Sequence, residues 1–556
     1  MGGFAGMFGA TEVARVRRMG RGLDARGPAA RWEHAAPGFA AVVVGSGLAG
    51  AGSPIGAADG VIAAVDGHVP QAPALAAELD LPPESGVGVV VAALIARTGF
   101  TRAVARLPSD VAVAAWHEAE RRGEVSRDRA GQRALLWTAV PGGIAFATEA
   151  RVFTLAGLAG EPSPSAQAAL VALGALVPPS SVRAGAQALE PGGVATFHGE
   201  VRLTPGPRPT LHPDGAGGNV DRWARSVRYG LDLAFASRAR GAGPYALALG
   251  GLASRALLAV RPRDAAPALA LTLRGSGGVE PGSAEAARAA GIPLREVDLS
   301  AEALGALLDE VAPHPGWARP EAWAWAALAQ AAWKEGLSGL ASGVGARAAF
   351  DPPMSGPLAG RLATPLAGLR ARLRGGDRAA PAARFAAEYG AFTEGDPVEL
   401  GALAAELPAD PERAAGWLRR QVALPEVELC GWDAACAAHG LELVAPFADP
   451  ALLQVACEVP AGVHHHGGRR ALLAAIASSG AASGAAAGAA AALPRGVGVP
   501  LAEWLGSFAL ETLAERLGGL LAGDHVRAMV TRARGGEPLP MRRVFALEMI
   551  ARGLVG

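Results

Sequence analysis

Ala246-Leu247-Ala248-Leu249-Gly250-Gly251-Leu252-Ala253-Ser254-Arg255 is the stretch on which the fold turns. Four small apolar residues read as a buried strand, two glycines break it, and an apolar run with Ser254 near its start opens a helix. Free N–H groups at a helix start suit an anion such as phosphate. A tight turn packing the helix on its sheet explains the same residues without a ligand. Outward from this stretch the chain alternates between helix 221–240, strand 245–249, helix 254–260, strand 268–273 and helix 283–290. Such alternation predicts a parallel, doubly wound sheet. Beyond Arg319 the pattern is mostly helical.

Up to Leu155 the chain reads differently. Short strands at 40–44, 60–65, 134–138 and 143–148 and helices at 73–79 and 88–98 are punctuated by Gly, Pro and Asp. That mixture predicts an α+β domain on antiparallel sheets. A Pro/Gly/Asp-rich stretch predicts a linker, which sets the expected domains at 1–203 and 219–556 with 204–218 between them. Residues 477–493 are low-complexity Ala/Ser/Gly, where Gly480, Gly484 and Gly488 each cost a helix about 1 kcal/mol, so a frayed segment is expected. A last turn and helix are expected over 537–556.

The 51 basic and 51 acidic residues balance to a formal charge of zero, which argues against a nucleic-acid or membrane-surface partner. Lys334 is the only lysine. Cys430, Cys436 and Cys457 lack metal-ligand spacing; the first two lie close enough in sequence to pair, but buried thiols of a reducing compartment are the expectation. The N-terminus has no apolar h-region, and the weakly polar stretch 471–493 lacks the bulk of a membrane span. A soluble, cytoplasmic protein is expected. His464-His465-His466 has no acidic or thiol company and reads as a solvated loop. Trp317, Trp323, Trp325 and Trp333, on or just before a helix, read as core or interface rather than a substrate platform. Gly275, Gly277 and Gly278, around Ser276, form a loop that lies beneath a nucleotide site or is a flexible turn.

Further stretches complete a recognisable frame. They are Ser342-Gly343-Val344-Gly345-Ala346-Arg347-Ala348-Ala349-Phe350, the run from Trp432 to Asp449, Pro494-Arg495-Gly496-Val497-Gly498-Val499-Pro500-Leu501 and Arg127-Asp128-Arg129-Ala130-Gly131-Gln132-Arg133. With Gly250, Gly251 and Ser254 they resemble the asparagine synthetase B-type family, whose relatives include lasso-peptide cyclases and β-lactam synthetases. The resemblance covers the chain from Met1 to about Leu505. It implies an α+β, Ntn-type glutaminase-like sandwich followed by an α/β parallel-sheet ATP pyrophosphatase-like domain with a helical C-terminal part.

The frame survives where residues build the fold and departs from the family where they do chemistry. In the family loop S-G-G-x-D-S, Leu249 and Ala253 stand at the first serine and the aspartate. In S-G-x-G-x-D-E, Ser342, Gly343 and Gly345 remain, while the acidic pair is Arg347 and Ala348. In D-R-x-S-M-A-x-G-L-E-x-R-x-P-F-L-D, Asp433, Gly440, Leu441, Glu442, Pro446, Phe447 and Asp449 match, but both arginines are gone, as Ala434 and Val444. Pro494 stands at the lysine of K-x-G-F-G-V-P-L. Gly2 occupies the place of the N-terminal cysteine nucleophile. Arg26-Gly27-Pro28 echoes R-G-P-D with Ala29 at the aspartate, and Asp66-Gly67-His68 echoes N-G-E.

The family activates a carboxylate as an acyl-adenylate, using ATP and magnesium held by carboxylates, and an amine then attacks. On this reading no catalytic residue is intact at Gly2, Ala253, Arg347, Ala348 or Pro494, no metal site is expected, and ATP and Mg binding are lost or weak. Gly250, Gly251, Ser254, Ser342, Gly343 and Gly345 are the remnant nucleotide loop. The expectation is a pseudo-enzyme, a scaffold or regulatory partner beside an active homologue or biosynthetic enzyme, or a homodimer, in an amide-forming pathway. The alternative is a divergent ATP-dependent amide ligase acting through an acyl-adenylate without glutamine hydrolysis. Asp264, Glu280 and Asp351 lie close to the degenerate loops, and their convergence near Gly250 would favour the ligase.

Overall fold

A computed structural model describes residues 2–26, 30–45, 52–173, 176–207, 220–275, 278–350, 417, 419–459, 468–478, 499–518 and 520–555. The expected linker from residue 208 onward, the Ser276–Gly277 turn, Asp351, His464–His466, the low-complexity run from residue 479 and Pro494 lie outside the described residues.

Alternation along the strands builds the N-terminal part. In Gly3–Gly9, Phe4 and Phe8 project to one face and Ala5 and Met7 to the other, as successive residues of a strand must. The phenylalanine side meets a second sheet: Phe4, Phe8, Phe39 and Phe146 pack against Ile62, Trp116 and Val125. The first sheet runs Gln187–Ala188, Leu136–Val140, Gly143–Ala147, Gly3–Gly9, Phe39–Gly45, Ala30–Ala36. The second runs Glu200–Thr204, Val194–His198, Arg122–Ser126, Ala112–His117, Val61–Asp66, Ile55–Ala58. Helix Val13–Arg21 covers Ala5, Met7 and Val42 on one outer face. Helix Val87–Thr98, apolar on nearly every side and buried accordingly, covers Val61, Ala63 and Val65 on the other. The result is the expected sandwich of antiparallel sheets between helices.

The C-terminal sheet is parallel through Leu294–Asp298, Leu269–Gly275, Tyr245–Ala248, Gly339–Ala341 and Glu442–Val444, with Gly278–Val279 folded back as an antiparallel hairpin. Helices bury both of its faces, which is why its central strand carries no charged residue and the Tyr245 hydroxyl is satisfied by the Ala265 carbonyl at 2.7 Å. From Tyr245–Ala248 the chain winds outward to Leu294–Asp298, then crosses back to place Gly339–Ala341 on the other side. The winding direction reverses there, so a crevice opens at the carboxyl ends of these two adjacent strands. The Gly250 loop and the Ser342 turn both stand at its edge.

The two halves meet over buried ion pairs. Arg26, 1% exposed, grips Asp433 bidentately at 2.8 and 2.9 Å and reaches Glu149 at 2.5 Å. Arg133 joins Glu442 at 2.9 Å and Asp66 at 3.3 Å. Arg127 joins Glu426 at 2.6 Å. Asp449 accepts from Arg238 at 3.0 Å and from the Ser109 hydroxyl of the N-terminal half at 3.2 Å. The retained acids Asp433, Glu442 and Asp449 thus anchor the domain interface. Burial alone would raise all three carboxyls; Arg26, Arg133 and Arg238 respectively overcome it and hold them below the ordinary range.

Two outcomes are expected. Asp433→Ala leaves the Arg26 charge buried with half its partners and lowers the unfolding free energy by about 3–5 kcal/mol, read by urea titration. A depressed carboxyl contributes stability above its ordinary pKa and loses it on acidification through the folded value. Stability therefore holds above the ordinary values of 3.8 for Asp433 and Asp449 and 4.5 for Glu442, and falls below them. Thermal melts stepped down through pH 4.5 check this, and a flat profile would refute it.

Candidate functional site

The central strand ends at Ala248, and Leu249, 1% exposed, still belongs to the core. Gly250 and Gly251 then border open space: a Cβ added to either would meet nothing within 4 Å. Helix Leu252–Val260 starts from Gly251 without a side-chain cap. Ser254 turns its hydroxyl back on the loop, accepting the Gly250 N–H at 2.8 Å and donating to the Gly251 carbonyl at 2.9 Å. Alongside, Ser342 Oγ accepts the Val344 N–H at 3.2 Å. Gly343 approaches so closely that a Cβ on it would lie 2.7 Å from the Ala253 methyl. The two turns interlock through these small residues.

Above them lies an open cleft of about 760 Å³. Its apolar lining includes Leu271, Leu273 and Leu328, together with Trp325, which stacks on Trp432 with ring centroids 5.0 Å apart and planes 9° from parallel. Its polar lining includes Thr272, Ser342 and Glu280, and Glu280 is the one charged side chain among the described residues of the lining. Trp325 packs against the core, as expected, and also lines the cleft. Trp317 and Trp323 are core and touch at 4.7 Å, while Trp333 is 54% exposed. Trp325 follows Trp323 by two residues, which places it on roughly the opposite face of helix Pro320–Lys334.

A second pocket, of about 640 Å³, surrounds Gly2 and is lined by Trp32, Asp66, His68, Arg133 and Glu442. A Cβ on Gly2 would stand 2.4 Å from the Val44 carbonyl oxygen. The Gly2 carbonyl in turn accepts from Arg26 Nε at 2.6 Å and Arg133 at 3.4 Å. Two buried guanidiniums therefore hold the backbone at the place where a nucleophile would stand. Burial raises the Asp66 carboxyl despite Arg133 and Arg26 nearby.

Residues 1–204 match the glutamine amidotransferase domain, and residues 226–552, more than half of the chain, match asparagine synthase. The chain belongs to the asparagine synthase family. No curated protein gives a match. Among solved structures the chain is similar to glutamine phosphoribosylpyrophosphate amidotransferase from B. subtilis complexed with ADP and GMP, at 14% identity, covering 53% of this chain and 65% of that one, with a TM-score of 0.28. It is likewise similar to the allosteric regulatory enzyme of purine biosynthesis, at 13% identity and the same coverages and TM-score of 53%, 65% and 0.28. It spans just under two thirds of each of those chains.

In this asparagine synthase relative, Gly250, Gly251, Ala253, Ser254, Ser342 and Gly343 converge on one cleft. The other positions read from sequence do not line it. Gly345, with φ +91°, lies against the backbone of Phe447 and makes the turn. Arg347 is exposed on helix Ala346–Phe350, and Ala348 is buried in the core. Of the carboxylates considered for relocation, Glu280 reaches the cleft, whereas Asp264 is exposed and pairs with Arg240 at 3.0 Å. Among the described residues no group of three or more His, Cys, Asp and Glu is placed to hold a metal ion. No helix among them is long and apolar enough to cross a membrane. Cys430, Cys436 and Cys457 are free thiols. Sequence reasoning missed Thr272 and Leu328, whose membership of the cleft depends on which strand lies beside which, and Trp432, whose only signal was its place before Asp433.

Restoring the thiol is expected to fail on geometry. Gly2→Cys must push its Cβ away from the Val44 carbonyl, an overpacking that costs about 1–3 kcal/mol. The variant is expected to melt earlier than the parent and to release no ammonia from glutamine. Glutaminase turnover in a variant melting at the parent temperature would refute this.

Proposed function

We propose that this chain is a non-catalytic member of the asparagine synthase family, a cytoplasmic scaffold or regulatory partner in an amide-forming biosynthetic pathway. The observation that carries the reading is the inward-turned loop. Ser254 satisfies Gly250 and Gly251 internally, Leu249 is buried, and the Ala253 methyl is packed against Gly343. The asparagine synthase family is ATP-dependent. A magnesium–triphosphate needs carboxylates for the hard cation and donors or cations for the phosphates. The described lining offers one carboxylate and no basic side chain. These residues do not fit a magnesium–triphosphate. Groups that act as a unit lose their effect together, so a single surviving polar residue does not preserve catalysis. The partner consistent with this role is an active homologue, a biosynthetic enzyme or a second copy of the chain.

A divergent amide ligase, acting through an acyl-adenylate without glutamine hydrolysis, is the second reading. It is favoured by Glu280, a carboxylate that lines the cleft from beyond the family motifs. Substrate-dependent ATP–pyrophosphate exchange with magnesium separates the two. No exchange above a heat-killed control is expected, nor calorimetric ATP binding tighter than about 1 mM. Exchange that disappears in Glu280→Gln would establish the ligase instead.

A further inference from the structure

The cleft above the Gly250 loop has a volume of about 760 Å³ and a mostly apolar lining. Glu280 is 3% exposed and is the one charged group among the described residues lining it. Arg255 lies behind this carboxylate, not on the lining. Its guanidinium donates to the Pro281 carbonyl and feels both Glu280 and Glu285. The Trp325–Trp432 stack shares this lining with Leu271, Leu273 and Leu328, and Trp325 remains partly open. Thr272, 1% exposed, lines the same cleft with a hydroxyl that has no partner.

An indole face attracts a cation through its quadrupole, most strongly where water is excluded. A buried carboxylate attracts the same charge and repels a phosphate. The apolar lining accepts the hydrocarbon part of such a ligand, and a hydroxyl supplies one further hydrogen bond. These features converge on one ligand class and oppose another.

We propose that the cleft above the Gly250 loop binds an organic cation, a guanidinium or alkylammonium compound, with its charge between Glu280 and the Trp325–Trp432 stack. A guanidinium suits it well, being planar, weakly hydrated and able to stack on indole while bonding a carboxylate through two N–H groups. This inference rests on the cleft lining and stands whether or not the chain is catalytic.

Agmatine, with AMP in the absence of metal as the anionic counterpart, tests it on the full chain by tryptophan fluorescence and calorimetry. Agmatine is expected to quench fluorescence saturably, with binding in the submillimolar range, and AMP to bind at least tenfold more weakly. Glu280→Gln is expected to weaken agmatine about tenfold or more, the loss of a charge-assisted contact. Trp325→Leu, which keeps every charge in place, is expected to weaken it severalfold. Melting curves establish that each variant is folded. Tighter binding of AMP than of agmatine, no saturable agmatine binding by the parent, or unchanged affinity in both folded variants would each overturn the assignment. Pyrophosphate exchange does not enter this test, so it fails or holds independently of the non-catalytic reading.

Discussion

A guanidinium buried between two domains cannot be left without acids, and Arg26 is such a group. Its bidentate grip on Asp433, with Glu149 on the same side, joins the N-terminal sandwich to the helix Cys430–Ala437 of the other half. Arg133 with Glu442 and Arg127 with Glu426 repeat the device, and Arg238 of the C-terminal half, paired with Asp449, reaches across the same interface to Ser109 and Asp110. Removing one member of such a pair leaves the other as an uncompensated buried charge, which is far more costly than losing a surface contact. That asymmetry accounts for the set of family residues that survive here. Asp433, Glu442 and Asp449 each hold an arginine that the interface has already buried.

The same interface bears on the first site. Arg26 and Arg133 both reach the Gly2 carbonyl, so the domain clamp also sets the position of the first strand. With the Val44 carbonyl where a side chain would start, glycine is the residue this backbone admits without movement. The Gly250 loop has a comparable constraint. The glycines that bring the Ser342 turn against the helix start are retained for close approach, and that approach is compatible with a methyl at Ala253. Architecture and chemistry therefore separate cleanly. Positions that permit two backbones to meet are glycines, and the neighbouring positions Leu249 and Ala253 are apolar.

The cleft of about 760 Å³ arises from topology. Two parallel strands with diverging connections leave a crevice at their carboxyl ends whatever side chains line it. Its lining now combines leucines, an indole stack, a hydroxyl and one carboxylate, a selection suited to a ligand of opposite charge from a polyphosphate.

Much of this was legible in local sequence. The apolar run before Gly250 requires a buried strand, and the Gly-Gly break dictates a turn into a helix. These are consequences of period and backbone freedom acting over a few residues. That Leu249, Ala253 and Ala348 are apolar and Arg347 is basic was equally plain from residue identity. The first strand, with Phe4 and Phe8 on one face and Ala5 and Met7 on the other, emerged only in the structure. The tertiary structure alone decided that Ser254 bonds its own loop, that the Val44 carbonyl fills the space beside Gly2, and that the acids of the 433–449 run hold arginines far away in the chain. It alone brought Thr272, Glu280, Trp325 and Trp432 to one cleft. Contacts between groups tens to hundreds of residues apart depend on strand order and domain docking, and no local pattern encodes which buried charge will find which partner.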